Sequence, residues 1–265
     1  MARIEAKNGY GYNLSLLDLN AIYEADNYVA DGSVFQASYY GGSSDTFRGY
    51  GFTYNFIGEP TGGVITSYQA IRFGRVAFTV TGVEVSVPAI VAAAQTASTG
   101  DDFQLFRSTL EGADVMIGST GNDTILSFGG NDDIRGGVGS DTLDAGGGDD
   151  RLTGGAGKDI LFGRDGRDVF VFEKTSDTLT FARDTIRDFQ RGLDKIDLRK
   201  IDADQDGTAG NQAFKFIGSK AFTGRDGELR FSKGVLTGDV DGDMVADFAI
   251  RVAGPTKLAA TDFVL

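Results

Sequence analysis

The chain has 265 residues, is 41% hydrophobic, and carries 39 glycines and a net charge of −13, a length that suits one large domain or two ordinary ones. It contains neither cysteine nor histidine, which excludes disulfides, His-dependent Ser and Cys triads, the H-E-x-x-H zinc site and His-based acid–base chemistry. An acidic chain without a basic stripe is repelled by nucleic-acid phosphates, and no apolar run is long enough to span a bilayer.

The first residues, MARIEAKNGYGYNLSLLDLN, lack the basic segment and apolar stretch of a cleaved secretory leader. On that ground alone the chain is expected to stay in the cytosol. SLLDLNAIYEA (Ser15 to Ala25) has helical spacing in Leu16, Leu17, Leu19 and Ile22. SVFQASYY, DTFRGYGFTYNF, GGVITSYQAI and RVAFTVTGVEVSV then read as strands, with GEPTGG (Gly58 to Gly63) as a turn between two of them. VPAIVAAAQTA, after Ser86, predicts a helix leading onward. Residues 1–108 are thus expected to form a small antiparallel β domain with short helices. Tyr10, Tyr12, Tyr39, Tyr40, Tyr50 and Tyr54 would suit either a sugar-stacking face or ordinary strand positions. Glu24, Asp26, Asp31 and Asp45 would suit either a glycosidase pair or scattered surface charge.

Residues 109–171 carry 12 acids against 5 bases and much of the glycine. Cut from Gly118, they fall into nines: GSTGNDTIL, SFGGNDDIR, GGVGSDTLD, AGGGDDRLT, GGAGKDILF and GRDGRDVFV. Position four is always glycine (Gly121, Gly130, Gly139, Gly148, Gly157, Gly166). Position six is always aspartate (Asp123, Asp132, Asp141, Asp150, Asp159, Asp168). Position eight is always large and apolar (Ile125, Ile134, Leu143, Leu152, Leu161, Phe170). The preceding nine, TLEGADVMI, keeps Gly112, Asp114 and Met116 as a worn first unit. A disordered acidic linker would share the composition, but it has no reason to keep an apolar eighth position.

The period predicts a solenoid in which six residues turn and three form a strand, with the eighth side chain inward. Two units make one coil, so Asp123, Asp141 and Asp159 line one edge and Asp114, Asp132, Asp150 and Asp168 the other. Stacked carboxylates repel unless a cation lies between them. Together with turn carbonyls they make a hard oxygen cage that suits Ca²⁺ better than zinc or copper. Counting neighbours within each column gives about five ions.

These units resemble the G-G-x-G-x-D-x-U-x repeat of RTX (hemolysin-type) calcium-binding proteins. Downstream, DTIRDFQRGLDKIDLRKID (Asp184 to Asp202), AGNQAFKFIG (Ala209 to Gly218) and GDVDGDMVADFAIRV (Gly238 to Val252) resemble in order the C-terminal domain of serralysin-type secreted metalloproteases. The resemblance covers roughly residues 112–265 and implies a mainly β fold: a parallel β-roll over 109–171, then a β-rich secretion domain over 172–265. It departs at the second turn position, where Phe128 and Arg164 replace glycine, and in the missing protease domain; without histidine there is no catalytic zinc.

Two further acidic clusters follow. DADQDG (Asp202 to Gly207) has EF-hand spacing, but Ala213 stands where the bidentate glutamate belongs, so a solvated loop is expected. DVDGDMVAD places Asp239, Asp241, Asp243 and Asp247 close together, read mainly as a turn between strands and secondarily as a calcium site. The ending Asp262-Phe263-Val264-Leu265 resembles the uncleaved signal of type I secretion substrates of Gram-negative bacteria. The implied protein is an extracellular, non-proteolytic calcium binder that engages the type I secretion machinery, folds on Ca²⁺ outside the cell and associates with a surface, matrix or glycan such as exopolysaccharide. The alternative is a polysaccharide-active enzyme using carboxylates of residues 1–108. A membrane-active role is the weakest reading, for want of an amphipathic segment.

Overall fold

A computed structural model describes residues 3–6, 27–31, 33–39, 41–54, 60–72, 75–87, 89–90, 107–204 and 211–265. The helix expected over Ser15 to Ala25 lies outside these residues. Of the helix expected after Ser86, Val87, Ala89 and Ile90 are helical, and 91–106 lie outside the described residues.

The N-terminal third contributes β1 (Arg3–Ala6), β2 (Asn27–Ala30), β3 (Val34–Tyr39), β4 (Ser43–Tyr54), β5 (Pro60–Arg72) and β6 (Arg75–Ser86). Strands β2 to β6 form an antiparallel meander. Alternation drives it: Phe35 and Ala37 point inward from β3, and Tyr68 and Ala70 from β5. Of the turn expected over GEPTGG, Pro60 to Gly63 belong instead to β5, and Gly58 and Glu59 lie outside the described residues. The register slips there, with Thr53 opposite Gly62 and Tyr54 opposite Pro60. Glycines in a strand mark such irregular pairing as readily as a turn.

The nonapeptide segment coils as its period predicts. One wall holds β7 (Val115–Ile117), β9 (Asp133–Gly139), β11 (Arg151–Gly157) and β13 (Val169–Val171). The other holds β8 (Thr124–Leu126), β10 (Thr142–Asp144) and β12 (Ile160–Phe162). Neighbours within each wall are parallel and in register, one coil apart. Ile125, Ile134, Leu143, Leu152, Leu161 and Phe170 are all fully buried between the walls. Each three-residue strand therefore needs only one apolar side chain, since the neighbouring coils supply the rest of the ladder.

Beyond the repeats the walls continue with β14 (Asp184–Ile186) and β15 (Lys195–Asp197). A short strand β16 (Lys215–Phe216) and the antiparallel β17 (Glu228–Ser232), β18 (Val235–Asp239) and β19 (Phe248–Val252) extend one wall; β20 (Phe263–Val264) ends the other.

The N-terminal meander and the roll share a sheet. Strand β1 pairs antiparallel with β6 and parallel with β7, giving the order β2-β3-β4-β5-β6-β1-β7-β9-β11-β13-β15-β20. One inward row crosses it by direct pairing: Phe35, Phe47, Tyr68, Val80, Ile4, Met116, Ile134, Leu152, Phe170, Ile196 and Phe263. All are buried, so the core is continuous across residue 108.

Candidate metal centre

The position-six aspartates stack as two ladders along the roll's edges. On one edge the amide of Asp114 donates to Oδ1 of Asp132 (2.8 Å), Asp132 to Asp150 (2.8 Å), and Asp150 to Asp168 (3.1 Å). On the other, Asp123 donates to Asp141 and Asp141 to Asp159, both at 2.8 Å. The geometry follows from the eighteen-residue coil, which sets each carboxylate beside the backbone of the coil before it.

Both ladders run one carboxylate further than the nines. Asp159 N–H donates to Asp184 at 2.8 Å, and Asp168 N–H to Asp194 at 3.2 Å. The nine-residue period ends before both, which is why sequence spacing missed them. The signal was nevertheless present: Asp184-Thr185-Ile186 and Asp194-Lys195-Ile196 repeat the aspartate–x–apolar order of positions six to eight, and Ile186 and Ile196 are fully buried. Asp177, in a 3₁₀ turn (Thr175–Asp177), accepts the Lys174 N–H at 3.0 Å and adds its charge beside Asp159 and Asp184.

From the second rung of each ladder onward, one carboxylate oxygen accepts the amide of the coil before; the other is placed differently. Oδ2 of Asp132, Asp141, Asp150, Asp159, Asp168 and Asp184 is buried without a hydrogen-bond partner. In several turns this oxygen faces position one, where glycine leaves a cradle. A Cβ on Gly136 would lie 2.5 Å from Asp141 Oδ2, on Gly154 2.3 Å from Asp159 Oδ2, and on Gly163 2.2 Å from Asp168 Oδ2. Asp123 differs, since its Oδ2 accepts the Ser119 N–H at 2.7 Å.

Burial makes the ionised ladder costly. It pushes Asp141 and Asp150 up to about 6, Asp132, Asp159 and Asp168 up to about 7, and Asp184 up to about 8. Neighbouring carboxylates add to the rise, while backbone N–H donors oppose it, joined by the Ser127 hydroxyl at Asp132 and the Thr178 hydroxyl at Asp184. Orphaned buried carboxylate oxygens beside Cβ-free cradles, with carbonyls the other donors to hand, form an all-oxygen set compatible with Ca²⁺.

The position-four glycines serve close stacking: a Cβ on Gly157, at φ +144°, would sit 1.7 Å from the Gly139 carbonyl oxygen. Phe128 and Arg164 take the same left-handed turn conformation as the glycines they replace, at φ 70° and 71°. A further ladder at position five went unread in the sequence. Asn122 Oδ1 accepts the Ser140 N–H, Asn131 Oδ1 that of Asp149, and Asp149 Oδ1 that of Arg167.

The acidic loop between β18 and β19 is the turn expected. Asp239, Asp241 and Asp247 can bring one carboxylate oxygen each within 4.8 Å of one another. Asp239 accepts the Gly242 and Met244 N–H groups, Asp241 that of Asp243, Asp243 that of Val245, and Asp247 that of Val240, so each carboxylate shapes the loop. In the DADQDG cluster, Asp202 Oδ1 accepts the Asp204 and Gln212 N–H groups, and residues 205–210 lie outside the described ones.

Of the candidate N-terminal acids, Asp31 caps its own turn through the Ser33 and Val34 N–H groups, and buried Asp45 accepts the Tyr68 hydroxyl at 2.6 Å. Tyr54 donates its hydroxyl to the Asp31 carbonyl, and Tyr50 is exposed. Glu24, Asp26, Tyr10, Tyr12 and Tyr40 lie outside the described residues. The terminal Asp262 is buried, bonded to Ala259 N–H and to Arg191, with Phe263 beside it in β20. Among the described residues, no helix is long and apolar enough to cross a membrane.

Residues 106–265 match the model of a protein family described as Peptidase M10 serralysin C terminal. Among solved structures, the chain is similar to the AlgE6R3 subunit of the Azotobacter vinelandii mannuronan C5-epimerase, at 24% identity. The match covers 58% of this chain and 78% of that one, with a TM-score of 0.22.

Proposed function

The chain belongs to the peptidase M10 serralysin C-terminal family through residues 106–265, and from that premise we propose that it is a secreted calcium-binding protein whose roll folds on Ca²⁺ outside the cell. The observation that carries this reading is the pair of aspartate ladders, each with one oxygen spent on the neighbouring coil and, along most of its length, the other buried and unpartnered. Bound there, Ca²⁺ supplies the positive charge that lets buried carboxylates remain ionised. Asp114, Asp132, Asp150, Asp168 and Asp194 hold one edge; Asp123, Asp141, Asp159 and Asp184 hold the other, with turn carbonyls completing each cage. The ladders join seven neighbouring pairs, which raises the expected number of ions from about five to about seven. The Asp239, Asp241, Asp243 and Asp247 loop stays a secondary candidate.

With no histidine the chain itself builds no His-ligated peptidase centre, and the role proposed for it is calcium binding rather than zinc-dependent proteolysis. In a calcium-poor cytosol the ladders repel and the roll stays open, the state a type I exporter threads. Outside, sites with affinities of about 10⁻⁴–10⁻³ M fill and drive folding. Residues 1–108 are proposed to hold the protein to a surface, matrix or glycan. Far-UV circular dichroism with calorimetry, in chelator and across a calcium titration, tests the folding claim; no gain in β signal and no binding heat would end it. Co-sedimentation with the producer's cells and exopolysaccharide tests the attachment, which fails if the protein stays in the supernatant with calcium and with chelator alike.

A further inference from the structure

Strand β1 has a partner on each edge, and they come from different parts of the chain. Arg3, Ile4 and Glu5 pair with Thr81, Val80 and Thr79 of β6 on one side, and with Val115, Met116 and Ile117 of β7 on the other. Ile4 and Met116 are both fully buried, as is Leu110 just before the first coil. A four-residue strand with one neighbour is a weak edge, whereas one held between two is part of a sheet. Ile90 and Thr109, which flank the connection into the roll, line a small cavity together with Phe47, Tyr68 and Val80 of β4, β5 and β6.

We infer that the N-terminal sheet takes its ordered form only once the roll is ordered, so that the divalent cation that folds the roll also switches on the N-terminal unit. The inference rests on the calcium-dependent folding proposed above and adds a consequence for residues that are not cation ligands. The roll's first strand is the template on which the chain's own first strand docks, and β1 in turn joins the meander to the roll. Whatever the face of β2 to β6 binds is then presented only where calcium is plentiful.

The sequence supplies a probe for each part. All nine tyrosines lie between Tyr10 and Tyr68, and the chain has no tryptophan. The near-UV tyrosine band therefore reports the N-terminal third alone, while the far-UV signal reports all β structure. The full chain is titrated with calcium from chelator, and both are followed. The expected result is that the tyrosine band grows with the same midpoint as the far-UV signal. A tyrosine band already at full strength in chelator, unchanged as the far-UV signal rises, would overturn the coupling while leaving the calcium reading intact. A far-UV signal that never responds would instead remove the calcium reading, and the coupling with it. Asp159→Asn, at the far end of the roll from β1, gives an independent arm: it should move both midpoints to higher calcium by the same factor. A tyrosine midpoint that stays put while the far-UV midpoint moves also overturns the coupling.

Discussion

Met244 holds φ at +70° and is largely exposed at the tip of the acidic loop, so its side chain gains little packing for an unfavourable backbone. Met244→Gly should stabilise the folded protein by about 1 kcal/mol, the cost of a left-handed conformation at a non-glycine residue; a lower melting temperature in calcium would count against this account. Gly154 presents the opposite case. Its φ is not in the left-handed region, yet an added Cβ would meet Asp159 Oδ2 at 2.3 Å and its Cβ and Cγ at 2.9 Å. Gly154→Ala should push the carboxylate off its ladder, costing about 1–3 kcal/mol as overpacking does, and raise the calcium midpoint. Gly147→Ala, where an added Cβ meets nothing within 4 Å, is the matched control and should leave that midpoint in place. At this scale the sequence was most legible where one residue type has one physical use, as with the buried eighth position and the aspartate at the sixth. The orphaned oxygens and the cradle at position one were not legible, because they arise from coils stacking on each other.

Each ladder behaves as an element in its own right, since every carboxylate after its first fixes the coil before it. Asp184 ends the stack on its edge: Asp159 N–H reaches it, its own N–H donates to the Thr178 hydroxyl, and burial raises it furthest, to about 8. Asp184→Asn keeps an acceptor for Asp159 and removes the charge. It should therefore have opposite effects in two solutions. In chelator at neutral pH it raises the folded fraction by removing an acid that folding holds far above its ordinary pKa. In calcium it lowers stability and shifts the midpoint upward. Matching thermal melts in chelator and in calcium check this, and a destabilisation of equal size in both would mean that Asp184 acts only as a hydrogen-bond acceptor. Elements were readable to the degree that they repeat. Strands β3 to β6 were readable as aromatic and β-branched runs set between turn residues, whereas RIEA at β1 and NYVA at β2 are too short for a pattern, and β1 is defined by partners far along the chain. Asp184 and Asp194 escaped because the turn preceding each departs from the nine-residue spacing while the local aspartate–x–isoleucine order persists.

Across the whole molecule, the composition foretold an acidic protein with an acidic middle. It did not foretell one sheet running from Phe35 to Phe263, since that continuity depends on the chain's first strand lying between the meander and the roll. The same geometry gathers buried carboxylates in one place, and this fixes the protein's response to acid. Asp132, Asp141, Asp150, Asp159, Asp168 and Asp184 have folded-state pKa values of about 6 to about 8, raised by burial from the ordinary 3.8. In that interval the folded form binds more protons than the unfolded one, so stability falls as pH rises. Their favourable contribution is complete below about 4 and is lost as pH climbs through about 6 to about 8. Asp31, Asp197 and Glu228 run the other way: donors or cationic partners hold them below their usual range, and their contribution fades only in stronger acid. Protonation also reduces the net charge of −13 and its self-repulsion. In chelator, then, the protein should gain β structure as pH is lowered from about 8 to about 5. With calcium present the dependence reverses, because protons compete with the cation for the same oxygens and the calcium midpoint must rise as pH falls. Far-UV circular dichroism across this pH range in both solutions tests the pair of trends. A metal-free protein that loses β signal on acidification would mean that the ladders are not buried as ionisable stacks, and the calcium requirement would then need another cause.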